Sequence, residues 1–136
     1  MYVDFSIYEV DGVLPDWVED FIRWQPKLEE ALEYSHGTFN IIDIADLLAN
    51  GAAKLWVVDT AAVVTQVVHY PRKIVLHAFL AGGELDGVLE IEKQVHRWAK
   101  INGCHAITLN GRPGWSRSPL QSIGYGCGTV QMSKEI

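Results

Sequence analysis

Apolar residues in the first third of the chain recur at helical spacing, and those in the middle run together as strands. Trp17, Phe21, Trp24, Leu28 and Leu32 form one stripe on a helix. Pro15, Asp16 and Glu19 supply the chemistry of a helix start, with Asp16 and Glu19 at capping-box spacing. Pro26 is expected to kink or split that helix, and Ser35-His36-Gly37 to end it. A second helix follows. Asn40 is its N-cap, Ile41, Ile44, Ala45 and Leu48 point inward, and Asn50-Gly51 stops it. Ahead of both helices, residues 2–10 alternate loosely (Val3, Phe5, Ile7, then Tyr8 and Val10), which predicts a first strand closed by Asp11-Gly12.

The character changes at Lys54. Residues 55–58, 62–70 and 74–80 read as three strands joined by Asp59-Thr60-Ala61 and by Pro71-Arg72, an antiparallel meander. The second and third are apolar on both faces, so they are expected to be central and covered on both sides. After Ala81-Gly82-Gly83 comes a helix over 84–102, with Val88, Ile91, Val95 and Trp98 inward and Gly103 past its end. Residues 105–109 then return as a strand, and a strand–helix–strand crossover implies a parallel pair. A loop from Gly111 to Trp115 leads to a very short helix with Ser118 as cap, Pro119 at its first position and Gln121 two residues on; Gly124 ends it. Residues 126–133 are expected to form a last strand. The order is β-α-α-β-β-β-α-β-α-β, one α/β domain over residues 1–136, with a central mixed sheet flanked by helices.

Bulk properties narrow the function classes. The 49% apolar and 21% charged fractions are those of a water-soluble globule. No stretch approaches the ~20 apolar residues of a membrane span, and the N-terminal region, with Asp4, Glu9 and Asp11, does not read as a signal peptide. Cys104 and Cys127 are too few for a disulfide framework, which points to a reducing cytoplasm. The net charge of −6 is uneven: residues 1–50 hold 11 acidic against 2 basic side chains, a net of −9. That argues against general nucleic-acid binding and would attract a cationic substrate or partner, unless the acids are simply the solvated faces of the two helices.

A strand that passes through a glycine turn into a helix start makes a site for anionic groups, because unpaired N–H groups and the positive helix end point the same way. With this element order, and with Ile123-Gly124-Tyr125 similar to the "LGF" that closes the short late helix of many members, the chain resembles the GNAT acyl-CoA-dependent N-acetyltransferases. Leu55-Trp56-Val57-Val58, Tyr70-Pro71-Arg72-Lys73, Ala81-Gly82-Gly83-Glu84-Leu85 and Gly111-Arg112-Pro113-Gly114-Trp115 resemble small GNAT-like proteins of tailed phages and prophages. The resemblance implies two splayed parallel strands, 74–80 and 105–109, with acetyl-CoA in the gap. Its pyrophosphate would sit on the turn at Leu80, Ala81, Gly82, Gly83, Leu85 and Gly87. The acceptor would be a small amine, a protein N-terminus or a lysine, approaching over the acidic helices.

The sequence departs from the family pattern in three places. Glycine replaces the usual leading Gln or Arg of the turn, and Glu84 and Asp86 put carboxylates at the helix start, where they suit the dipole but repel a phosphate. The family's acidic tyrosine falls at Leu120, leaving Tyr125, Ser116 or Ser118 as substitutes. After Tyr125 there is room for one strand of the family's final hairpin, so the hairpin is expected to be truncated or its edge completed by a protein partner or another copy. His77, mid-strand, is a candidate base or a satisfied core histidine; His69 and Tyr70 lie near the same gap. Arg112, with Arg117 on the other side of Trp115, is a candidate for the cofactor phosphates. No metal-ligand spacing is visible among His36, His96 and His105. Two readings stay open: a GNAT-type acetyltransferase of phage or prophage character in a bacterial cytoplasm, and a catalytically inactive GNAT fold serving as a virion accessory protein.

Overall fold

The computed structural model describes residues 1–111, 113–128 and 131–136. Three α-helices, α1 (Trp17–Leu32), α2 (Ile41–Ala49) and α3 (Leu85–Ile101), surround four strands: β1 (Lys54–Val58), β2 (Ala61–His69), β3 (Ile74–Gly83) and β4 (Ala106–Leu109). The sheet order is β1-β2-β3-β4, antiparallel up to β3 and parallel between β3 and β4. The crossover through α3 therefore pairs as its sequence implied.

The predicted stripe of α1 is buried at Phe21, Trp24, Leu28 and Leu32, joined by Val18. Pro26 does not split α1. Its missing N–H deprives the Ile22 carbonyl of a partner, and Ile22, 52% exposed, lies where water can replace it. α2 opens on a reciprocal capping box, Asn40 Oδ1 accepting from the Asp43 N–H and Asp43 Oδ2 from the Asn40 N–H, each at 2.9 Å.

Two expected elements are corrected. Residues 2–10 form no strand; Phe5–Tyr8 is a 3-10 helix. Asp4 Oδ1 accepts both the Ser6 N–H (3.1 Å) and the Ser6 hydroxyl (2.6 Å), and this local bonding holds a turn in place of a ladder. Phe5 and Tyr8, three apart, then share a side and pack edge-on against Trp17. The last strand, expected over 126–133, is not seen either. Thr129 and Val130 lie outside the described residues, and the others form no strand. The late short helix is a 3-10 turn, Pro119–Ile123, capped by the Ser118 hydroxyl and closed by Gly124 at φ 105°. Another 3-10 turn, Pro113–Arg117, precedes it.

β2 and β3 are covered on both faces, as expected. Ala62, Val64 and Leu80 join the core under α1 and α2, while Ala61, Val63, Leu76 and Ala78 join the core under α3. Ala78 and Leu80 sit two apart yet face opposite sides. The cause is a bulge: Val64 pairs with Leu80 and Thr65 with Ala78, which leaves Phe79 as the extra residue of β3.

Candidate functional site

The bulge lies where two strands part. β3 runs for 10 residues, but the 4 residues of β4 pair only with 75–78. The last pair is Ala78 with Leu109, followed by the Asn110 N–H on the Ala78 carbonyl at 3.0 Å. Beyond it, residues 79–83 have β2 on one edge and, among the described residues, no strand on the other. That open edge is one wall of a groove of about 1870 Å³. Leu80, Ala81, Gly82 and Gly83 line it, as do Thr108, Leu109 and Asn110 across the gap, and Tyr125 and Leu120 from the late turn. Phe39, between α1 and α2, packs tilted against the bulge residue Phe79, with ring centroids 5.6 Å apart, and forms another part of the wall.

The turn itself is fixed by the chain. Gly83 has φ 103°, and a Cβ there would fall 2.3 Å from the Thr60 carbonyl oxygen. A Cβ on Gly87 would fall 2.4 Å from Thr60 Oγ1. The Thr60 carbonyl accepts the Glu84 N–H at 2.8 Å. These glycines thus answer to close packing of the β1–β2 turn under the start of α3. Gly82 is similarly close to α1, its missing Cβ 3.3 Å from Lys27. Leu85 and Gly87 are off the groove wall. Glu84 and Asp86 are exposed and off it too.

His77 is half-buried, and burial pushes its imidazole below the ordinary value of 6.5. Its Nδ1 lies 2.6 Å from Thr108 Oγ1 across the β3–β4 pair. Thr108 lines the groove and His77 does not. The Tyr125 hydroxyl donates to Glu92 Oε1 on α3 at 3.3 Å, and burial, reinforced by that carboxylate, raises the phenol well above its usual range. His96 Nδ1 approaches the same carboxylate at 3.6 Å. Glu92, which was not singled out from sequence, also lines the groove, as does His96, which the sequence raised only as a metal-ligand candidate. Their i, i+4 spacing on the helix was the available signal. Arg112 lies outside the described residues. Among those residues, no group of three or more His, Cys, Asp or Glu is placed to hold a metal ion, and no helix is long and apolar enough to cross a membrane.

No protein-family model matches the sequence, and no curated protein matches it. Solved structures do. A protein of Pyrococcus furiosus described as an acetyltransferase superposes with a TM-score of 0.61 at 19% identity, covering 87% of this chain and 95% of that one. The aminoglycoside acetyltransferase meta-AAC0020, from an uncultured soil metagenomic sample and solved with sisomicin, gives 0.62 at 7% identity over 87% and 89%. An acetyltransferase of Trypanosoma brucei gives 0.54 at 12% over 82% and 94%. The chain has the GNAT fold. Identities this low establish the fold alone. The strands expected at 74–80 and 105–109 are β3 and β4; β4 ends at Leu109, opposite Ala78, while β3 runs on to Gly83.

Proposed function

We propose that this chain is an N-acyltransferase that moves an acetyl group from acetyl-CoA to an amine. The observation that carries the proposal is the unequal length of β3 and β4. It leaves backbone groups of residues 79–83 open along a groove that leads to the start of α3. An extended acyl-pantetheine arm carries amides that pair with such an edge as an added strand does. The GNAT neighbours are acetyltransferases by name, which supports the same reaction class.

In this reading the thioester carbonyl lies against the bulge at Phe79, whose backbone groups fall outside the β2–β3 ladder and can stabilise a developing oxyanion. The acceptor enters from the side of Phe39 and Glu30, over the acidic helices, as a cation. It must lose a proton before it attacks. The Thr108 hydroxyl receives that proton as it passes its own to Nδ1 of the neutral His77. The amine nitrogen then bonds to the carbonyl carbon, the carbon–sulfur bond breaks, and the thiolate leaves to take up a proton. Titration calorimetry with acetyl-CoA tests the proposal: micromolar binding supports it, and no heat at millimolar ligand refutes it.

One observation favours a second reading. Thr60 fills the space that Gly83 and Gly87 would otherwise leave for a ligand, as in a fold kept for its shape. A phage or prophage accessory protein without catalysis would show no acetyl-CoA binding and would instead be found at stoichiometric copy in purified particles.

A further inference from the structure

A short hairpin precedes the start of α1. Val10 and Val13 exchange both backbone hydrogen bonds, each at 3.0 Å, around a two-residue turn. Asp11 and Gly12 in that turn have φ of 52° and 76°, the positive values of a type I′ turn. Residues directly opposite in an antiparallel pair put their side chains on the same face, so the two valines stand side by side. They are 70% and 67% exposed, and Ile7, three residues earlier, is 66% exposed. The ridge is fixed at its base. Before it, Tyr8 is bonded to Asp46 on α2 and packed against Trp17; after it, the Pro15 carbonyl accepts the Val18 N–H at the start of α1. We infer that this ridge docks a basic amphipathic segment of another protein, which lays apolar side chains on Val10 and Val13 and cationic ones on the acids nearby.

Charge selects the occupant. Glu9 and Asp11 flank Val10 in the chain, and Asp16, Glu19 and Asp20 follow at the start of α1, against which the Phe5–Tyr8 turn packs. With Asp4 these six are all exposed, and residues 4–20 include no Lys, Arg or His. None of the six carboxylates is in an ion pair among the described residues. An apolar pair set in such a field repels nucleic acid and anionic lipid headgroups. Two copies meeting through a two-fold axis would bring both sets of carboxylates together, which disfavours self-association through this face. A partner with Lys or Arg flanking apolar residues satisfies both halves of the surface. Because the turn is fixed before binding, this side contributes little ordering cost.

Fluorescence anisotropy with labelled synthetic peptides tests the inference, which stands apart from the acyl-CoA reading. An amphipathic peptide of Leu and Lys is expected to bind with a Kd on the order of micromolar, and to weaken as salt rises. A peptide of Gly and Lys with the same charge is expected to bind roughly tenfold more weakly, and one of Leu and Glu not at all. Val10→Ser with Val13→Ser removes the ridge and leaves every charge. Folded by circular dichroism, that variant is expected to lose roughly tenfold in affinity for the Leu and Lys peptide, because two valines leave the contact. Binding by charge alone would show as equal affinity for the two Lys peptides, or as equal affinity of the variant and the unaltered protein, and either result overturns the inference. So does absence of binding. A concentration-dependent dimer in sedimentation that the two serines abolish overturns it as well, and gives the ridge to a second copy.

Discussion

Nδ1 of His77 and Oγ1 of Thr108 lie 2.6 Å apart across the only parallel strand pair among the described residues, and one of the two faces the groove. Burial keeps the imidazole neutral to lower pH than an ordinary histidine, so it remains a proton acceptor there. Acetyl transfer should therefore rise with pH through a limb below 6.5. His77→Gln should lower kcat by roughly 10² or more with the acetyl-CoA Kd unchanged. A pH-rate profile with matched calorimetry checks both.

The same depressed value has a consequence for stability. As pH falls below 6.5, the unfolded chain takes up a proton at His77 that the folded chain resists, so folding stability drops toward acid. Urea unfolding at a series of pH values should show that drop, and it should shrink in His77→Gln.

Gly83→Ala and Gly87→Ala should each destabilise the fold, since their new Cβ atoms meet Thr60 at 2.3 and 2.4 Å. Overpacking of this kind costs about 1–3 kcal/mol, and Gly83 adds strain at φ 103°. Gly126→Ala, with no atom within 4 Å of the new Cβ, is the control and should be near neutral. Thermal unfolding of the three variants decides whether Thr60 is the reason for the glycines.

The Tyr8 hydroxyl donates to Asp46 Oδ1 at 2.5 Å and ties the N-terminal 3-10 turn to α2. Burial, then the Asp46 hydrogen bond and charge, pushes the phenol up to about 12. A folded value above the unfolded value of 10 means the contribution is full below pH 10 and is lost as pH rises through about 12. Spectrophotometric titration should show two tyrosines, Tyr8 and Tyr125, ionising late, and Asp46→Asn should bring Tyr8 earlier.

Much of this was legible where one local signal dominated. The α1 stripe, the Asn40 cap, the two covered strands and the Ser118–Gly124 turn each follow from spacing and cap chemistry within a few residues. The alternation in residues 2–10 misled because Asp4 bonds to Ser6 locally, and the i, i+3 pair Phe5 and Tyr8 found Trp17 instead of a neighbouring strand. In 126–133, Gly126 and Gly128 supply no side chain to pack, which weakens a strand there. The packing of Thr60 against Gly83 and Gly87, more than 20 residues away, leaves no sign in the glycine turn itself. Glu92 and Tyr125, 33 residues apart, meet only through tertiary packing. The bulge at Phe79, which turns Ala78 and Leu80 to opposite faces, leaves no mark in the apolar run that contains it.

Hydrogen–deuterium exchange with and without millimolar acetyl-CoA tests the central claim most directly. Amides of residues 79–83 that face the groove should exchange readily in the free protein and become protected when acetyl-CoA is added, with little change in β2. Exchange over 79–83 that is indifferent to acetyl-CoA would contradict an acyl-CoA site on the open edge of β3.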